Sequence, residues 1–129
     1  MKRKGLIFVL ALTIIFGSVS IASAYTSAAN INTNRTSNTS ANVRADITYN
    51  TTVDTCTIKM TLQEKYNGSW RTATGVSTKT VSKTKKKVTG LTLAYKFQLA
   101  KGKVYRVKTQ FISKKGSSGI TTTRYTGSF

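Results

Sequence analysis

Histidine and proline are both absent from this 129-residue chain, cysteine and tryptophan occur once each, and only three residues carry a negative charge. Each shortage excludes something. Without His there is no Ser–His or Cys–His pair to activate a nucleophile, and no imidazole to ligate a metal. The acids are Asp46, Asp54 and Glu64. Three scattered carboxylates make a poor calcium cage, which needs several convergent oxygens. A glycosidase needs two carboxylates facing each other across a cleft. Asp46 and Glu64 fall on polar faces near strand ends, which predicts solvated surface acids offset by nearby lysines. The lone cysteine, Cys56, cannot close an internal disulfide, so the core must rest on apolar packing. Cys56 runs in phase with Ile58, Met60 and Leu62, as a small buried hydrophobe would. The alternative for it is an intermolecular disulfide or a reactive thiol. No catalytic residue, cofactor or metal is expected, and no enzymatic activity.

What is abundant is positive charge: 21 Lys and Arg give the chain a formal charge of +18. Lys2, Arg3 and Lys4 open the sequence, an apolar run follows from Gly5 to Phe16, and small residues end in Ala22-Ser23-Ala24. This is the three-part pattern of a secretory signal peptide. The apolar run falls short of the ~20 residues that span a bilayer. Residues 1–24 are therefore expected to be a signal peptide, and the protein to be secreted, with no stable membrane insertion after cleavage. Loss of those three cations would still leave 18 − 3 = +15. A field of that size attracts polyanions and repels other copies of the chain, which favours a monomer, with a Cys56-linked dimer as the alternative.

Residues 25–42 are almost entirely Thr, Ser, Asn and Ala, show neither apolar period, and are expected to form a flexible lead-in. From residue 43 the pattern changes. Val43, Ala45, Ile47 and Tyr49 alternate with polar residues, and Cys56 to Leu62, Leu91 to Leu99 and Tyr105 to Phe111 repeat that period of two. Trp70 to about Thr74 reads as a further strand, with Trp70 covering the core. Ser77 to about Val88 reads as one or two edge strands, and Gly119 to Gly127 as a shorter, Thr-rich closing strand. Asn67-Gly68, Lys101-Gly102 and the Gly-rich stretch after Lys115 mark turns. About seven short antiparallel strands predict an all-β domain over residues 43–129. The expected architecture is an immunoglobulin-like β-sandwich, with a small barrel as the alternative.

The densest charge is Lys83, Lys85, Lys86 and Lys87, with Lys114 and Lys115 as a second group. Three consecutive lysines cannot share one face of a strand, so part of this run belongs to an exposed edge, where lysines also discourage strand-to-strand aggregation. Its functional reading is a landing site for a polyanion. No aromatic residues interleave the run, which argues against nucleic acid as the normal partner. Ser82 to Lys85 matches S-x-x-K, but that motif works at a helix start in a large domain with two partner motifs missing here. Asn-x-Ser/Thr triplets at Asn34, Asn38, Asn50 and Asn67 match glycan acceptor sites, yet this composition produces such triplets by chance.

The segments "TLQEKYNGSW" and "KGKVYRVKT" give the chain a resemblance to small secreted proteins of Gram-positive anaerobes. In these a T-L-Q-x-x-x-N-G-x-W hairpin precedes a G-x-x-Y-R-V-K strand. The resemblance spans roughly residues 41–125 and implies a single immunoglobulin-like or fibronectin-like domain with no assigned activity. It also places Tyr105 at a tyrosine corner, where the hydroxyl bonds back to the backbone. The strong basic charge is not something that fold requires, and the missing cysteine pair rules out an antibody-type core. The function expected is therefore binding of an anionic cell-wall polymer or glycan by a secreted protein retained at the cell envelope. The alternatives are a cationic bacteriocin-like protein acting on anionic membranes, or a structural or adhesive module. The mature chain offers no amphipathic helix to insert into a membrane, which weighs against the bacteriocin.

Overall fold

The computed structural model describes residues 25–129, so the expected signal peptide lies outside the described residues. Six strands account for most of the rest: β1 (Thr26–Ser37), β2 (Ser40–Tyr66), β3 (Ser69–Thr72), β4 (Thr80–Gln98), β5 (Tyr105–Lys115) and β6 (Ser118–Tyr125). All pair antiparallel in one curled sheet. No helix occurs among the described residues.

The 27-residue β2 is the spine. Its first half, residues 41–49, carries β1 along one side and residues 90–97 of β4 along the other. Its second half carries β5 on the β1 side, with residues 80–88 of β4 and then β3 opposite. β6 completes the sheet beyond β5.

Between the halves lies a crease. The ladder jumps from Thr48–Gly90 to Val53–Val88, so β2 spends five steps where β4 spends two. A bulge with an odd number of extra residues reverses the facing of a strand. Buried positions on β2 are odd at Val43, Ala45, Ile47, Tyr49 and, at the far lip of the crease, Val53, and even from Cys56 on, at Ile58, Met60 and Leu62. Both sets thus line the same concave side, where they share one core with Phe97, Tyr105, Val107 and Phe111. Two features of β4 permit the crease. Lys87 adopts φ 55°, and a Cβ on Gly90 would lie 2.9 Å from the Ile47 carbonyl oxygen, so only glycine fits there without a shift.

The tight turns follow local chemistry. Asn67 and Gly68 have φ 51° and 82°, the pair of positive values that a type I′ hairpin demands. Gly116, at φ 59° in the first central position of the β5–β6 turn, supplies the positive value of a type II′ turn. The Tyr105 hydroxyl accepts a hydrogen bond from the Ala100 amide at 2.8 Å and so fixes the loop between β4 and β5.

Four expectations need correction. The supposed flexible lead-in is β1, paired with β2 from Thr26 to Ser37 and anchored by the buried Tyr25 ring against Tyr49. Its Asn- and Thr-rich sequence pairs through backbone groups, and among its described side chains the apolar ones packed against the core are Ala29 and Ile31, so it needs little apolar content. The strands number six among the described residues, not about seven, because two expected pairs fuse across the crease into β2 and β4. Trp70 lies on the convex side rather than over the core. Glu64 is buried, with 1% of its side chain exposed.

Candidate anion-binding face

The register fixes which side chains share the convex side of the second half of the sheet. On β2 these are the odd positions from Thr55 to Lys65. Their neighbours are Lys86, Thr84, Ser82 and Thr80 on β4, and Lys114, Ile112, Gln110, Lys108 and Arg106 on β5. Trp70 and Thr72 of β3 and Tyr125 of β6 complete the margins. Six cations therefore stand on one face: Lys59, Lys65, Lys86, Arg106, Lys108 and Lys114. Threonine, serine and glutamine fill the rows between them, and the Thr57 and Thr84 hydroxyls hydrogen-bond each other at 2.8 Å. At ~3.3 Å per residue, the ten steps from Thr55 to Lys65 make a surface ~33 Å long.

The three carboxylates all lie elsewhere. Glu64 points into the concave side, where Arg71 Nη2 at 2.6 Å and Lys103 Nζ at 3.0 Å contact it. The Thr74 amide and hydroxyl donate to it at 3.0 and 3.1 Å. Asp46 sits on the first half and accepts from the Thr92 hydroxyl at 2.6 Å and from Arg44 at 3.2 Å. Asp54 sits at the crease, where the Gly116 amide at 2.7 Å and Lys87 at 3.1 Å engage it. Each acid is held below its usual range. For Asp46 the Thr92 bond is the main cause, and for Asp54 it is the Gly116 amide. For Glu64, burial opposes ionisation, but the bonds from Thr74, Lys103 and Arg71 outweigh it and bring the carboxyl to about 2. Asp46 is on the convex side of the first half, paired with Arg44, and no carboxylate stands on the convex face of the second half among the described residues.

One part of the face is built more firmly than the rest. The Arg106 guanidinium lies 4.6 Å from the Trp70 ring centre and 4.2 Å from that of Tyr125. Its Nε donates to Gln63 Oε1 at 2.7 Å. Lys65 approaches Trp70 at 5.9 Å, and Lys108 pairs with Tyr125 across the β5–β6 ladder. Among the described residues, no hydrogen bond takes up the two terminal nitrogens of Arg106.

The six lysines expected from sequence do not form one patch. Lys86 and Lys114 share the convex face, on either side of Thr55. Lys83 and Lys85 pair with Ile58 and Cys56 and so take the concave phase, at the exposed edge of β4. Lys83 donates to the Thr92 carbonyl at 3.2 Å. Lys87 is tied to Asp54, and Lys115 donates to the Thr52 carbonyl at 3.1 Å. Missing from the sequence reading were Lys59, Lys65, Arg106 and Lys108. Their signal was strand parity: Lys59 and Arg106 lie between buried apolar residues, Lys108 lies between buried Val107 and Thr109, and Lys65 follows buried Glu64.

Cys56 is fully buried, and its Sγ lies 3.1 Å from the Tyr49 hydroxyl. Burial raises its thiol pKa, which favours the protonated form over the nucleophilic thiolate. Among the described residues, no three His, Cys, Asp or Glu side chains converge as a metal site would require. Compared with known proteins, the chain matches no family model, no curated protein and no solved structure.

Proposed function

We propose that the protein is a secreted, non-enzymatic module that binds anionic polymers of the cell envelope by electrostatics. In this reading residues 1–24 are a cleaved signal peptide, and the two halves of the curled sheet are the leaves of an immunoglobulin-like sandwich. The observation that carries the functional reading is the segregation of charge. Six cations share the convex face of the sheet's second half, while all three acids are engaged elsewhere. A face of one sign raises the local concentration of a counter-charged partner and speeds its capture. Hydroxyls and amides between the cations can bond a hydroxylated polymer.

The test is retention of the protein on anionic cell-wall material along a salt gradient. The Lys59→Gln, Lys86→Gln and Lys114→Gln triple variant should elute at clearly lower salt than the native protein. A Lys83→Gln and Lys85→Gln variant, altered on the other side of the sheet, should shift less per charge removed. Retention indifferent to salt between low and physiological ionic strength, where the screening length falls from ~30 to ~8 Å, would refute the proposal.

A further inference from the structure

We infer that Arg106, held between Trp70 and Tyr125, is a subsite for an anionic sugar ring, so that the polymer recognised is an acidic polysaccharide of pyranose units. This inference rests on the polyanion reading above and sharpens it. A diffuse basic face needs only charge, and lysines supply that. Here the chain places an arginine instead and fixes its plane. Gln63 takes its Nε, Trp70 and Tyr125 lie 4.6 and 4.2 Å from it, and the two terminal nitrogens are left to donate in parallel. That is the fork geometry that holds a carboxylate through two hydrogen bonds, and a flexible lysine cannot reproduce it.

The rings at either side define what surrounds the anion. Tyr125 is 50% exposed, and Trp70 is half-buried at the margin of the sheet. The guanidinium covers the ring faces turned toward it, and the ring surface left open, that of the half-exposed Tyr125 above all, can meet the apolar C–H face of a pyranose. The threonine rows beyond would meet its hydroxyls. An open-chain polyol phosphate has no ring to lie there. Single-stranded nucleic acid stacks successive bases along a series of aromatic rings, and among the described residues this face carries only Trp70 and Tyr125, both at one end. Lys65 and Lys108 flank the subsite, and Lys59, Lys86 and Lys114 continue the charge along the sheet for later repeats.

Trp70 is the only tryptophan of the chain, so its emission reports this subsite directly. The experiment titrates the protein with polygalacturonate, poly(glycerol phosphate) and oligo(dT), following Trp70 fluorescence and sedimentation in parallel. Arg106→Lys keeps the charge and loses the plane. It should weaken polygalacturonate binding tenfold or more, while binding to poly(glycerol phosphate) changes less than twofold. Tyr125→Leu, at an exposed position, should act in the same direction. Native emission should shift with polygalacturonate and stay unmoved by poly(glycerol phosphate). Equal affinity of the native protein and Arg106→Lys for polygalacturonate overturns the subsite and leaves the polyanion reading standing. Binding of none of the three polymers at low salt overturns both. Tighter binding of oligo(dT) than of polygalacturonate, with the same sensitivity to Arg106→Lys, replaces the sugar by nucleic acid.

Discussion

Glu64 gathers more hydrogen bonds than any other side chain described, and they tie four segments together. Through it β2 is joined to Arg71 of β3, to Thr74 after β3, and to Lys103 before β5. Its pKa of about 2 lies below the ordinary 4.5 of a free glutamate. The folded state therefore binds this proton less readily than the unfolded chain. The resulting stability is present in full above pH ~4.5 and is lost as the pH falls through the folded value. Glu64→Gln should cost about 2 kcal/mol at pH 7. It should also flatten the acid-induced loss of stability between pH 5 and 2, measured by urea unfolding at several pH values. An unchanged acid slope in the variant would assign that loss to Asp46 and Asp54 instead. The buried state of Glu64 was legible in principle, because it continues the even phase of Cys56, Ile58, Met60 and Leu62. Its charge outweighed its parity in the sequence reading. Of the partners that compensate burial, Arg71 comes to it through the local Asn67-Gly68 hairpin, whereas Lys103 comes from 39 residues away and nothing local in sequence brings it there.

At the scale of elements, the period of two located the strands well wherever one side was buried. It failed where a strand buries little, as in β1, and where a strand changes facing, as in β2. The crease in β2 is written in residues 49–52, Tyr49-Asn50-Thr51-Thr52, which carry no Gly or Pro to announce it. The signal lies across the ladder instead, at Gly90, whose backbone passes close to Ile47. Gly90→Ala should force a backbone shift and cost about 1–3 kcal/mol by chemical denaturation. Gly127→Ala, where added volume meets open space, should stay within about 0.5 kcal/mol. Equal effects of the two substitutions would show that the close approach at Gly90 is not what selects glycine. The candidate site was legible only as charge: Lys86 and Lys114 belonged to the expected clusters, whereas Arg106, Trp70 and Tyr125 meet through β2–β5, β2–β3 and β5–β6 pairings set by tertiary structure.

For the whole molecule, 18 of the 21 Lys and Arg lie at or beyond residue 25 and face only three acids, each of which is already engaged. A charge excess of one sign opposes self-association, and Cys56 is wholly buried. The crease has a kinetic counterpart. Thr61 meets Thr80 across 80 − 61 = 19 residues, whereas Ser40 meets Gln98 across 98 − 40 = 58. Closing the shorter span costs less chain entropy, and the β2–β3 hairpin shortens it further. The β2–β4 ladder is thus expected to zip from the β3 end toward Val53 and to pause where pairing lapses, before residues 90–97 of β4 reach the first half. Amide exchange during refolding should find protection in residues 80–88 of β4 earlier than in residues 90–97, and simultaneous protection of both would remove the pause. A chain that assembles in this order joins the β2 and β4 rows of its polymer-facing surface while the opposite end of that ladder is still open.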